Sequence, residues 1–196
     1  MKLLEALVLR AQGIKLFAAT IDKKLTKLRK QTRAELDLHM KAYGKHKNID
    51  QLKDDLQDSL SEGYAKAYKL GLQKKNLTPQ DKKYLQFVEN KQFDYLDGML
   101  DDIENGTSKM PISNRLDMYT NHIDSLFWYG SLKGKNKQIY WNLDAQAENC
   151  PDCIELADNS PYDPEDLPTV PRGGDTECLM HCKCFLSHKP HGFFWG

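Results

Sequence analysis

The chain has 196 residues, 40% of them hydrophobic and 29% charged, with 28 Lys and Arg against 28 Asp and Glu. That length and balance fit a soluble globular protein of one or two domains, and no apolar run approaches the ~20 residues that a membrane-spanning helix needs. The neutral total hides an asymmetry, because residues 1–48 hold 12 basic residues against 4 acidic ones, while 49–196 hold 16 against 24. Such a split predicts a basic arm that meets an acidic partner or nucleic acid, or else a solvated helix face. Basic residues without interleaved stacking aromatics leave both open.

The first predicted element is a helix of about 40 residues with a seven-residue repeat. Leu4, Ala11, Ala18 and Leu25 share one heptad position, and Leu7, Ile14, Ile21 and Leu28 lie three residues on, which makes an apolar seam over four heptads. A seam that long needs a long partner, either a helix of the same chain or a neighbouring subunit. Lys23, Lys24, Lys27, Arg29 and Lys30 lie mostly off it and are expected to stay in water. The pattern breaks from Gly44 to Asn48. It resumes from Ile49 to about Gln73, with Leu52, Leu56, Leu60, Tyr64 and Tyr68 at steps of four.

Thr78-Pro79-Gln80-Asp81 then supplies a capping hydroxyl, a proline at the first helical position and an acidic first turn, so a third helix begins there. Its core face is Leu85, Val88, Leu96, Met99 and Ile103, and Asn105-Gly106 ends it. A fourth helix runs from about Ser113 to Tyr129 on a stripe of Leu116, Tyr119, His122 or Ile123, Leu126 and Phe127. Gly130 to Asn136 reads as a turn or linker, and Gln138 to Leu143 has the β-branched and aromatic content of a short strand. The remainder carries six prolines and few helix signals. The expected fold is therefore mainly α. A basic helix at 1–48 and a helical region at 49–130 form a bundle, followed by a small, irregular, β-containing module at 131–196.

All five cysteines fall in that module, as Cys150-x2-Cys153, then 24 residues, then Cys178-x3-Cys182-x-Cys184. Two short-spaced thiol groups joined by a loop are what a tetrahedral ion requires, since each group wraps one side of the metal. Zinc is the ion such a set most often serves. A disulfide framework is disfavoured by the odd number and by a start, Met1 to Leu9, that Glu5 and Arg10 keep from resembling a signal peptide. A redox dithiol at Cys150-Pro151-Asp152-Cys153 lacks a surrounding βαβ pattern. Cys150, Cys153 and Cys182 are the firmest ligands, Cys178 and Cys184 compete for the fourth place, and His181 and His188 lie close enough to serve. Four protein ligands close the site and make it structural, and a module with so few aliphatic residues gains its stability from the ion.

Catalytic patterns are missing from the chain. A zinc deaminase needs H-x-E and P-C-x-x-C, but His122 is followed by Ile123 and Asp124, and Asn149 precedes Cys150. There is no H-E-x-x-H, P-loop, G-x-S-x-G or dinucleotide fingerprint, and the Gly173-Gly174 pair reads as a turn. Asp101, Asp102 and Glu104 form the one close carboxylate group, and without a histidine they read as a solvated helix end. The expectation is a protein that is not an enzyme. A small metal-stabilised nucleic-acid-binding protein or nuclease is the alternative.

The order of these parts resembles the C-terminal region of tailed-phage minor head proteins, the head morphogenesis proteins of the Mu-type minor capsid family. Members typically show C-x-x-C, a loop with an L-P element, then a His or Cys shortly before a C-R-C ending. Cys150 and Cys153 match the first pair, Leu167-Pro168 the loop, and Cys182 and Cys184 the last pair, with Lys183 in place of arginine. The likeness extends over about residues 50–188, more weakly through Tyr95 to Ile103 and Arg115 to Tyr119, and its specific part is 139–186. The chain departs from the family in being short, in lacking an added enzymatic domain and in its heptad-bearing basic start. The resemblance implies a virion structural or assembly protein, made in the host cytoplasm and placed in the head or neck near the portal vertex. Its implied partners are the portal and major capsid proteins in a multi-copy assembly, with packaged DNA a target for residues 1–48.

Overall fold

A computed structural model describes residues 2–135 and 137–190, with the backbone alone described for 2–22 and for Met180. Five α-helices and two short strands follow in the order α1 (Lys2–His46), α2 (Ile49–Leu72), α3 (Pro79–Asn105), α4 (Ile112–Lys133), β1 (Tyr140–Asn142), α5 (Pro151–Asp158) and β2 (Phe185–Ser187), with a 3-10 turn at Leu179–His181 before β2. The protein is mainly α, with a small cysteine-bearing β region at its C-terminal end.

Local chemistry sets the helix ends. Asn48 caps α2 by accepting the Gln51 backbone N–H, and Gln73 ends that helix in the left-handed conformation. At α3 the expected cap is present in full: Thr78 Oγ1 accepts the Asp81 N–H while the Asp81 carboxylate accepts the Thr78 N–H. Asp81 is also the acceptor for the buried Tyr68 hydroxyl and lies 3.6 Å from Lys133, so one side chain ties the ends of three helices. Gly106, with φ +65°, stops α3 directly after Asn105, since a left-handed residue lets its N–H reach the Asp102 carbonyl.

Packing radiates from α2, which lies against α1, α3 and α4. Leu52, Leu56, Leu60, Tyr64 and Tyr68 are buried on it at the expected steps. Within the described part of α1 the seam is occupied by α2 and α4: Leu25, Thr32 and Leu36 are buried, with Leu28, Met40 and Tyr43 packed against the same core. After Leu28 the inward positions step by four. The helix there follows its natural 3.6 period instead of a heptad, as suits a short bundle contact. The side chains of Leu4, Leu7, Ala11, Ile14, Ala18 and Ile21 lie outside the described residues. Of the basic cluster, Lys23, Lys24, Lys27 and Lys30 are exposed as expected. Arg29 instead turns inward to Asp124 at 2.6 Å, and Arg33 bonds Asp117 on α4, so part of the positive charge of α1 is neutralised within the bundle.

The expected turn at Gly130 is absent, because α4 continues through it to Lys133. Gly130 is where α4 crosses α2. A methyl group on it would stand 2.7 Å from the Tyr68 carbonyl oxygen, and one on Gly71 would stand 2.1 Å from the Phe127 carbonyl oxygen. The two backbones meet with no side chain between them, which is why glycine is required at both positions. Gly71→Ala is expected to lower the unfolding free energy by about 2–3 kcal/mol, through forced separation of the helices. Denaturant unfolding followed by circular dichroism measures this; an unchanged midpoint would show that the crossing can relax.

Candidate metal centre

The C-terminal module folds onto the bundle through one loop. Leu167 and Val170 enter the main core, and then four consecutive carbonyls are taken by side chains of two helices. Ser125 Oγ donates to Pro171 O at 2.6 Å, His122 Nδ1 to Arg172 O at 3.3 Å, Gln92 Nε2 to Gly173 O at 3.2 Å and Tyr95 OH to Gly174 O at 3.3 Å. The backbone can turn its carbonyls this way because Arg172 and Gly174 adopt positive φ, +65° and +89°. The Arg172 side chain then reaches the other way, with Nε donating to the Cys182 carbonyl at 3.1 Å. The glycine pair is a turn, as expected, and it is also the joint between helices and cysteines.

A second, smaller core surrounds the thiols, with Trp141, Cys153, Cys182 and Cys184 buried in it. β1 and β2 pair antiparallel, Trp141 opposite Leu186, which sets Cys182 and Cys184 just before β2 over the start of α5. That helix is unexpected in a segment with so few helix signals. Its signal is nonetheless local: Pro151 occupies the first helical position, Asp152 supplies the acidic first turn, and Cys150 stands at the N-cap. Cys150 and Cys153 are thereby three residues apart on the first turn, facing the same side. Asp152 also accepts the Glu177 N–H at 2.7 Å, which fixes the segment carrying Cys178 against α5.

These elements bring all five sequence-predicted cysteines together, and none is in a disulfide. Cys150, Cys153 and Cys178 form one set with sulfurs mutually within 4.8 Å, and Cys153, Cys182 and Cys184 form another. Cys153 Sγ lies 3.6 Å from both Cys178 Sγ and Cys182 Sγ. A metal–sulfur bond of about 2.3 Å in a tetrahedron puts neighbouring sulfurs about 3.8 Å apart, so the spacing fits a metal and is far from the ~2.05 Å of a disulfide. The cluster therefore suits a thiophilic ion. His181 and His188 are not in either set; His181 is exposed, and His188 Nδ1 bonds the Gln138 carbonyl at 3.0 Å.

Neighbouring donors prepare the outer thiols for ionisation. Burial opposes the ionisation of Cys150, but the N–H groups of Cys153 and Cys178 outweigh it and lower its pKa. Cys184 is pulled down to about 6, first by Cys182, against burial and with help from Cys153, Trp141 and the Asp144 N–H. The buried Trp141 Nε1 meets no acceptor in hydrogen-bond geometry, and the Cys184 sulfur is the acceptor beside it. Cys153 is pushed up by burial, and Cys182 by Cys184 and then burial. Thiolates are the ligating form, so affinity for an ion falls as acid reprotonates the set.

The carboxylates Asp101, Asp102 and Glu104 are at the exposed end of α3, where Asp102 is engaged by Arg115 and Thr107. Comparison with protein-family models, with curated proteins and with solved structures returns no match for this chain.

His122 connects the loop to acid. Its ring is fully buried against the edge of Tyr64, and burial pushes its pKa down from 6.5 to about 4. The folded state thus binds this proton more weakly than the unfolded state. Stability from His122 is complete above about pH 6.5, declines as pH falls, and is fully lost below about 4, a difference of about 3 kcal/mol. Unfolding free energies of the wild type and His122→Asn measured between pH 7 and pH 4 are expected to converge toward acid. Parallel profiles would exclude His122 as the source.

Proposed function

We propose that the chain is a structural or assembly protein of a tailed-phage virion, a minor head protein at or near the portal vertex or neck, with a zinc ion as a structural staple. The observation that carries this reading is the joining of three features in one module: the C-x-x-C pair at the start of α5, the Leu167-Pro168 loop seated on the bundle, and the closing Cys182-Lys183-Cys184. This is the arrangement on which the resemblance to the Mu-type minor capsid family rests, and each feature has a physical role in the fold. The ligand set is thiolate-rich, and the thiols lie in a core with few aliphatic residues, both of which favour an ion that stabilises over one that reacts.

In this reading the helical bundle supplies the surface for portal or capsid protein, in several copies, and the protein performs no catalysis. The exposed lysines Lys23, Lys24, Lys27 and Lys30 give α1 a positive face suited to packaged DNA or an acidic partner. No helix among the described residues is long and apolar enough to cross a membrane.

Particles produced from a genome carrying this gene, purified by density gradient and analysed by mass spectrometry, are expected to contain the chain at low copy number beside portal and capsid protein. Its absence from intact particles would sink the virion role. Independently, a chelator strong enough to strip zinc should lower the thermal midpoint of the purified chain, and added zinc should restore it. A midpoint indifferent to both would remove the staple.

A further inference from the structure

The five sulfurs are not arranged as a four-sulfur set with one to spare. Each of the two triads is mutually within 4.8 Å, and they share only Cys153; Cys150 and Cys178 do not come within that distance of Cys182 and Cys184. A single tetrahedral ion would draw at least one sulfur across that gap and leave another thiol without a role in the core where Cys182 and Cys184 are buried. Two ions would use all five sulfurs where they stand.

We propose that the cysteines form a two-ion centre for zinc-class divalent cations, with Cys153 bridging, Cys150 and Cys178 on one ion, and Cys182 and Cys184 on the other. The proposal rests on the structural-metal reading above and extends it to a second ion. Charge supports it. A single divalent ion on four thiolates leaves two negative charges uncompensated in a largely buried site, whereas two ions on five thiolates leave one. Arg172 and Lys183 flank the second triad and oppose that residual charge. Cys153 is the natural bridge, since it is almost fully buried and its sulfur is common to both sets.

With three sulfurs each, the ions would have one further position to be taken by water. The half-buried Cys150 and Cys178 leave their triad open to solvent. The other triad is reached from a cavity of about 330 Å³ whose lining includes Trp128, Arg172, Lys183, Cys184 and Phe185. The centre would thus be structural through its sulfurs while each ion keeps a water.

Zinc uptake by the reduced full-length chain, titrated against a chromophoric chelator and counted by native mass spectrometry, tests the proposal. The expected result is two zinc ions per chain, with all five thiols protected from a disulfide-exchange reagent at saturation. Cys178→Ser and Cys184→Ser should each lower the count from two to one, with circular dichroism confirming that each variant is folded. Saturation at one ion with one thiol still reactive would overturn the two-ion centre and leave the single staple standing. Failure to bind any zinc would overturn both readings.

Discussion

The close approach of α2 and α4 at Gly71 and Gly130 fixes where everything C-terminal can go. With no side chains between the two backbones, α4 has little freedom to slide or rotate on α2, and Tyr64, Tyr68, Ile123 and Phe127 pack around the crossing. The opposite consequence appears on the next face of α4. There Ser125 and His122 are presented at the height of the Pro171–Gly174 loop, and Gln92 and Tyr95 of α3 complete the row. A glycine contact deep in the bundle therefore positions a loop that runs toward the thiols.

That loop is held by polar bonds where the bundle is held by burial. Its carbonyls are directional acceptors, so four side chains define its path more narrowly than apolar contact would, and the buried Gly173 carbonyl left without Gln92 would cost about 1–3 kcal/mol. The small core around Trp141 has little aliphatic surface of its own. It is organised from three directions: by β1 and β2, by the Asp152 bond to the Glu177 N–H, and by Arg172 on the Cys182 carbonyl. Thiols brought together in this way are already near the spacing an ion requires, which reduces the ordering cost of binding it.

Charge on α1 is divided by depth. Arginines facing α4 are paired with Asp124 and Asp117, while the lysines that project outward keep their charge in solvent. A basic arm counted from composition thus overstates the free positive charge of the arm. What is left among the described residues is a narrower lysine face formed by Lys23, Lys24, Lys27 and Lys30.

The features legible in the sequence are those whose physics is local. The Thr78–Asp81 capping box, the four-residue steps of α2 and the stripe of α4 each depend on residues a turn or two apart, and the gathering of the cysteines at a spacing that suits a metal was readable from their order in the chain. Gly130 was not, since a missing side chain serves a turn and a close helix crossing equally well, and only the presence of Gly71 on α2 selects the second. α5 was obscured because Pro151 and Asp152, which start a helix, are equally at home in loops. The partners of residues 171–174 come from positions 46–81 residues distant, so nothing near the glycine pair announces them. The sequence by itself determined that five thiols would gather in a core-poor C-terminal module. Tertiary structure decided that Cys153 stands between the other four, because a sulfur's neighbours depend on how α5, the clamped loop and β2 are packed, and spacing along the chain carries no such information.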